Sequence, residues 1–153
     1  MSLPASGDPW VVYGYEVEMF GGMCRLLEVG NAEYAALPPQ VQNAVVESAL
    51  LHTRQLADIL LSRGKGQSRG EDQDDIYLSD LLPDFMPSRF DELKAAYGKR
   101  NDEGSACRTI NKHFAHPTTH RRASFDYAPL LMQLVPIIAD IIQEVDEYRK
   151  RPN

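Results

Sequence analysis

The stretch Pro38-Pro39-Gln-Val-Gln-Asn-Ala-Val-Val-Glu47-Ser-Ala-Leu-Leu-His52-Thr-Arg54-Gln-Leu-Ala-Asp58-Ile-Leu-Leu61 decides the fold. Its two prolines suit a first helical turn, where the missing N–H has no intrahelical partner to lose. From 41 to 61 no glycine or proline interrupts it, and the apolar residues recur at helical spacing. Val41, Val45, Ala49, Leu56, Ile59 and Leu60 make one face. Asn43, Glu47, Arg54 and Asp58 form a narrow polar stripe on another side. A long amphipathic helix is the expected result.

Working outward, helical periodicity continues on both sides. Upstream, residues 11–29 read as a helix with Val12, Tyr15, Met19, Met23 and Leu26 on one face and Glu18, Arg25 and Glu28 opposite. Gly21-Gly22 inside it predicts either a bend or the close approach of a neighbour. Downstream, residues 62–75 contain three glycines and no apolar side chain, which predicts a mobile loop. Asp80, Pro83 and Pro87 punctuate a short connector. Ser88 is expected to cap a helix that reaches Tyr97. After a break at 98–104, a helix over 105–115 turns Cys107, Ile110 and Phe114 inward and ends before Pro117. The last helix is expected from Asp126 to Arg149, with Pro136 as an interior kink. These segments predict an all-α protein: an antiparallel four- to five-helix bundle forming one domain over 1–153.

Composition narrows the classes. The chain has 153 residues, 43% of them hydrophobic, which suffices for one core without disulfides or metals. Sixteen basic against 22 acidic residues give a net charge of −6, which excludes a generally basic nucleic-acid coat but allows a local basic site. The two cysteines, Cys24 and Cys107, form no CxxC pair. The first residues lack the basic and apolar regions of a signal peptide, and the longest apolar run, 128–139, is shorter than a bilayer requires. The expectation is a cytoplasmic protein that does not engage a membrane.

Against the acidic average, residues 105–125 carry Arg108, Lys112, Arg121 and Arg122, three histidines and no acid. Such a patch attracts phosphate, with Lys112, Arg121 and Arg122 as the candidate phosphate-binding residues. The bland alternative is a solvated helix end that complements the helix dipole. His113, His116 and His120 fall at i, i+3 and i+7, a spacing open to a zinc site, but Pro117 separates them and no HExxH accompanies them. No cofactor or metal is expected. His52 lies on the apolar side of its helix, where a hydrogen-bonded core histidine is the common case; Glu16 is the candidate partner.

Taken in order, Glu18-Met19-Phe20, the segment Glu47–Asp58, Asp74-Asp75-Ile76, and Ile110-Asn-Lys-His-Phe-Ala-His116 with Arg121 resemble small bacterial members of the HEPN superfamily (higher-eukaryote and prokaryote nucleotide-binding helical bundles). The resemblance covers most of the chain. It implies a HEPN-like bundle that binds RNA or nucleotide and dimerises. In active members it implies a metal-independent endoribonuclease of toxin or defence type, working beside an antitoxin-like partner. The signature of active members is an arginine, a polar residue, three to five further residues and a histidine. Arg108-Thr109 with His113 satisfies it literally. The segment Asn111 to His116 has the polar residue and the histidine but Ile110 in the arginine's place.

Metal-free RNA cleavage needs a base, an acid and a cation for the developing phosphorane charge. The first assignment is His116 for proton transfer, Asn111 to orient phosphate or imidazole, and Arg54 as the cation with Glu47 holding it. Arg108 and His113 are the alternative pair. A catalytically inactive nucleotide-binding or interaction module, and a metal-dependent bundle enzyme, are the other readings.

Overall fold

A computed structural model of the chain describes residues 8–62, 75–115 and 126–151. Among them the protein is all-helical, with no strand. Helix α1 runs Pro9–Leu26, α2 Ala32–Ala35, α3 Pro39–Leu61, α4 Leu78–Leu81, α5 Phe90–Tyr97, α6 Ala106–Ile110 and α7 Ala128–Arg149, and a π-helical turn, Asn111–Ala115, continues α6.

Helix α3 follows its sequence signals closely. Pro39 occupies the first turn, and Val45, Ala49, Leu50, Leu56, Ala57, Ile59 and Leu60 are buried. Val41, at the solvent end of that face, is exposed. Helix α1 packs antiparallel on α3, which brings Glu16 to His52 and Val12 to the Ile59 end. Its core-facing side is not the expected one. Trp10, Tyr13, Val17, Phe20 and Cys24 face the core, because α1 is apolar nearly all round and its bulky aromatic rings take the interior. Neither glycine of Gly21-Gly22 admits a neighbouring helix; the Arg25 guanidinium folds back over them instead.

The tip of α1 meets the far end of α7, where the Arg149 guanidinium lies 4.4 Å above the Trp10 ring. With Tyr13 near Asp146, this makes α1 antiparallel to α7 as well. Helices α3 and α7 therefore run in the same sense. The bundle is not a simple up-and-down one, because α4, α5 and α6 carry the chain back between them.

Two junctions fix that return. Ser88 does not cap α5. Its N–H donates to Glu144 Oε2 at 2.8 Å and its hydroxyl to Glu144 Oε1, tying the connector to α7. Arg89 adds bonds to Asp140 of α7 and to Glu92. Gly98 ends α5 with φ of 68°, and a Cβ there would stand 2.7 Å from that of Ser105. The position requires glycine. Ser105 in turn caps α6 by accepting from the Arg108 N–H at 3.1 Å.

Leu134, Ile137, Ile138, Ile141 and Val145 of α7 enter the core. The helix starts at Ala128, with Tyr127 as its N-cap, and not at the expected Asp126, whose carboxylate accepts from the Ala128 N–H at 3.0 Å. The apolar run expected to be too short for a bilayer belongs to a longer helix. By length and composition α7 is apolar enough to cross a membrane, with a mean hydropathy of 1.5 over its best window, 28% of it buried. Of the loop expected over 62–75, residues 63–74 lie outside the described residues.

Candidate functional site

Two concave regions hold candidate site residues, one beside α6 and one on α3. The first is a groove of about 200 Å³ where α6 passes into the π turn, lined by Glu103, Gly104, Arg108, Thr109, Lys112 and His113. The π turn explains part of this grouping. One extra residue per turn rotates the helix, and such insertions collect at functional sites. The Arg108 guanidinium reaches back to the Asn101 carbonyl at 3.3 Å and stands 3.8 Å from the well-exposed Glu103 carboxylate. The His113 ring meets Tyr127, before α7, edge to face at 6.3 Å. Glu47 is near enough to Tyr127 to help burial raise the pKa of its phenol. The His113 side of the groove thus lies toward the start of α7, and its Arg108 side follows Cys107.

The second region is a cleft of about 590 Å³ at the C-terminal end of α3, between α1 and residues 75–77. Arg54, Gln55, Asp58, Ile59 and Ser62 form its floor, Val12 and Glu16 one wall, and Asp75, Ile76 and Tyr77 the other. Arg54 Nε lies 3.5 Å from Asp58 Oδ2, an ion pair one helical turn apart. The carboxylate beside Arg54 is thus that of Asp58, and the expected holder, Glu47, sits by Tyr127. Asp58 also accepts a hydrogen bond from the Tyr97 hydroxyl at 3.0 Å. Its side chain is half-exposed, but the cleft walls displace enough water to raise its pKa above the ordinary value, and Asp75 raises it further while Tyr97 and Arg54 oppose. Glu16 is committed to His52, whose Nδ1 stands 2.6 Å from Glu16 Oε2, confirming the partner expected for the core histidine. The Tyr15 ring stands edge-on to that imidazole.

Between cleft and groove runs a chain of polar contacts. Tyr97 is buried, its pKa pushed up by burial, and its hydroxyl faces both Asp58 and the Cys107 thiol. Asn111 Nδ2 donates to the Cys107 carbonyl at 2.9 Å and lies 3.6 Å from Cys107 Sγ. Arg54, Asp58, Tyr97, Cys107 and Asn111 therefore follow one another across the interior. In this arrangement Asn111 is 7% exposed and holds the π turn to α6.

Of the expected site residues, Arg108, Lys112 and His113 share the groove, and Thr109 joins them. Arg54 lines the cleft, Asn111 lies beneath the groove, and Glu47 is beside Tyr127. His116, His120, Arg121 and Arg122 lie outside the described residues. Among the described residues no group of three or more His, Cys, Asp or Glu is arranged to hold a metal ion. Sequence reasoning missed Tyr97, because pairing across 39 residues leaves no local pattern, and it marked Asp75 and Ile76 without placing them at a site. No protein-family model, curated protein or solved structure matches the chain.

Proposed function

We propose that this is a HEPN-like RNA-binding protein that takes single-stranded RNA phosphate in the groove of Arg108, Thr109, Lys112 and His113. The observation that carries the reading is this convergence. The residues that match the superfamily signature literally, with Lys112 one turn after Arg108, line one concavity on an acidic protein. Arg108 and Lys112 there, against the one Glu103 carboxylate, concentrate a polyanion on a chain of net charge −6.

The same residue types suit metal-independent cleavage. Arg108 and Lys112 would stabilise charge on the phosphorane, Thr109 would position a phosphate oxygen, and His113 would exchange the proton. His116, the first assignment from the sequence, lies outside the described residues and is kept here as the second candidate for proton transfer. Asn111 lies beneath the groove, and contacts through Cys107, Tyr97 and Asp58 connect it to Arg54 in the cleft. The proposal includes a homodimer and an antitoxin-like partner in a cytoplasmic setting.

Cleavage of a labelled single-stranded RNA in EDTA tests the enzyme reading. His113→Ala is expected to lower the rate by about 10²-fold or more while the thermal midpoint holds. Loss with His116→Ala alone moves the role to His116. A catalytically silent binding module is the second reading, favoured by the tether of the Arg108 guanidinium to Asn101 and Glu103. Wild-type protein that binds RNA and leaves it intact selects that reading.

A further inference from the structure

The Arg54 cleft has a composition that restricts what it can hold. Arg54 disfavours a simple cation on its floor. Glu16, Asp58 and Asp75 disfavour a simple anion. A neutral ligand with donors along one edge and acceptors beside them satisfies both signs. Val12, Ile59 and Ile76 supply apolar surface for the flat faces of such a ligand, and Tyr77 an aromatic ring. The cleft's roughly 590 Å³ lies within the range of small-molecule sites.

Resting on the RNA reading above, we propose that this cleft is a base-recognition site that takes an unpaired guanine. Guanine alone among the RNA bases carries two adjacent donors, N1–H and N2–H, which span one carboxylate, with the O6 and N7 acceptors alongside. Arginine reads O6 and N7 as a bidentate pair, and carboxylates accept from ring and exocyclic N–H groups. Single-stranded RNA is commonly read in this way, with bases splayed out and bonded on their edges. In the cleft Arg54 faces the acceptor edge, and Asp75 with Asp58 receives the donors. Desolvation of Asp58 fits this role, because a carboxylate short of water gains most from incoming donors. The site also has a place relative to the groove. Tyr97, which bonds Asp58 at the cleft floor, also faces Cys107, the residue before Arg108 of the groove, so cleft and groove lie on either side of that one side chain.

The test is calorimetric titration of the intact protein with guanosine, adenosine, cytidine and uridine. Saturable guanosine binding, about tenfold or more tighter than the other three, is expected. Arg54→Gln and Asp75→Asn should each weaken it by about tenfold. Asp75 is exposed, so its variant keeps the test sound if Arg54→Gln unfolds. Arg108→Gln with Lys112→Gln should lose affinity for a single-stranded oligonucleotide yet retain guanosine. No guanosine binding at about 1 mM, equal binding of all four nucleosides, or binding indifferent to Asp75→Asn overturns the inference. If the oligonucleotide still binds through Arg108 and Lys112, the RNA reading survives that failure.

Discussion

The Tyr97 hydroxyl donates to Asp58 Oδ1 at 3.0 Å and so joins α5 to the polar stripe of α3. This bond satisfies a phenol held in the core and steadies a carboxylate at the floor of the cleft. Tyr97→Phe removes the donor and leaves Asp58 to water and Arg54. Because Asp58 is half-exposed, the loss should be about 1–2 kcal/mol, read from urea denaturation. An unchanged midpoint would show that the bond contributes nothing to stability.

Asp58 also predicts a pH dependence. Its folded pKa is raised above the ordinary 3.8, chiefly by desolvation. The folded state therefore holds this proton more tightly than the unfolded one. The resulting stabilisation is fully present below about pH 3.8 and is lost as pH rises through the raised value. Asp58→Asn removes the ionisation. Relative to that variant, wild type should lose thermal stability as pH rises from 3.8 through the raised folded value, and a constant difference would contradict the assignment.

His52 and Glu16 form a partner pair between α3 and α1, with side chains 9% and 13% exposed. Removing either partner leaves a polar group in a largely dry contact. A double-mutant cycle with Glu16→Gln and His52→Ala should return a coupling of about 1–3 kcal/mol. Additive single-variant losses would mean that the short contact carries no specific energy.

This pair shows what the sequence makes legible. The long helices, Pro39 in the first turn of α3, and the match of His52 with Glu16 follow from periodicity and from the need of buried polar groups for partners. So did the grouping of Arg108, Lys112 and His113, which are close in the chain. The reading failed where geometry depends on distant segments. Ser88 looks like a helix cap in its local sequence, yet Glu144 of α7 claims it. Asp58 offered Arg54 as a neighbour, whereas Tyr97 could be found only by folding the chain. In α1 almost every side is apolar, so the wheel alone selected the wrong face; packing against distant helices decides which side is buried.

Gly98 fixes the corner between α5 and α6. Its φ of 68° and the 2.7 Å approach to Ser105 leave no room for a side chain. Gly98→Ala should cost about 1–3 kcal/mol, with reduced amide protection over α6 in hydrogen exchange. A fully stable alanine variant would contradict the steric account.

The central claim is that the groove of Arg108 and Lys112 binds single-stranded RNA. Fluorescence anisotropy of a labelled RNA, titrated in EDTA over a series of salt concentrations, measures it most directly. Each cation neutralising a phosphate adds about 0.7 to the slope of log affinity against log salt for a single strand. The account predicts saturable binding by wild type and a slope shallower by about 1.4 in Arg108→Gln/Lys112→Gln, with its affinity reduced at every salt concentration. Wild-type protein that binds no RNA, or a double variant with unchanged affinity and slope, would contradict it.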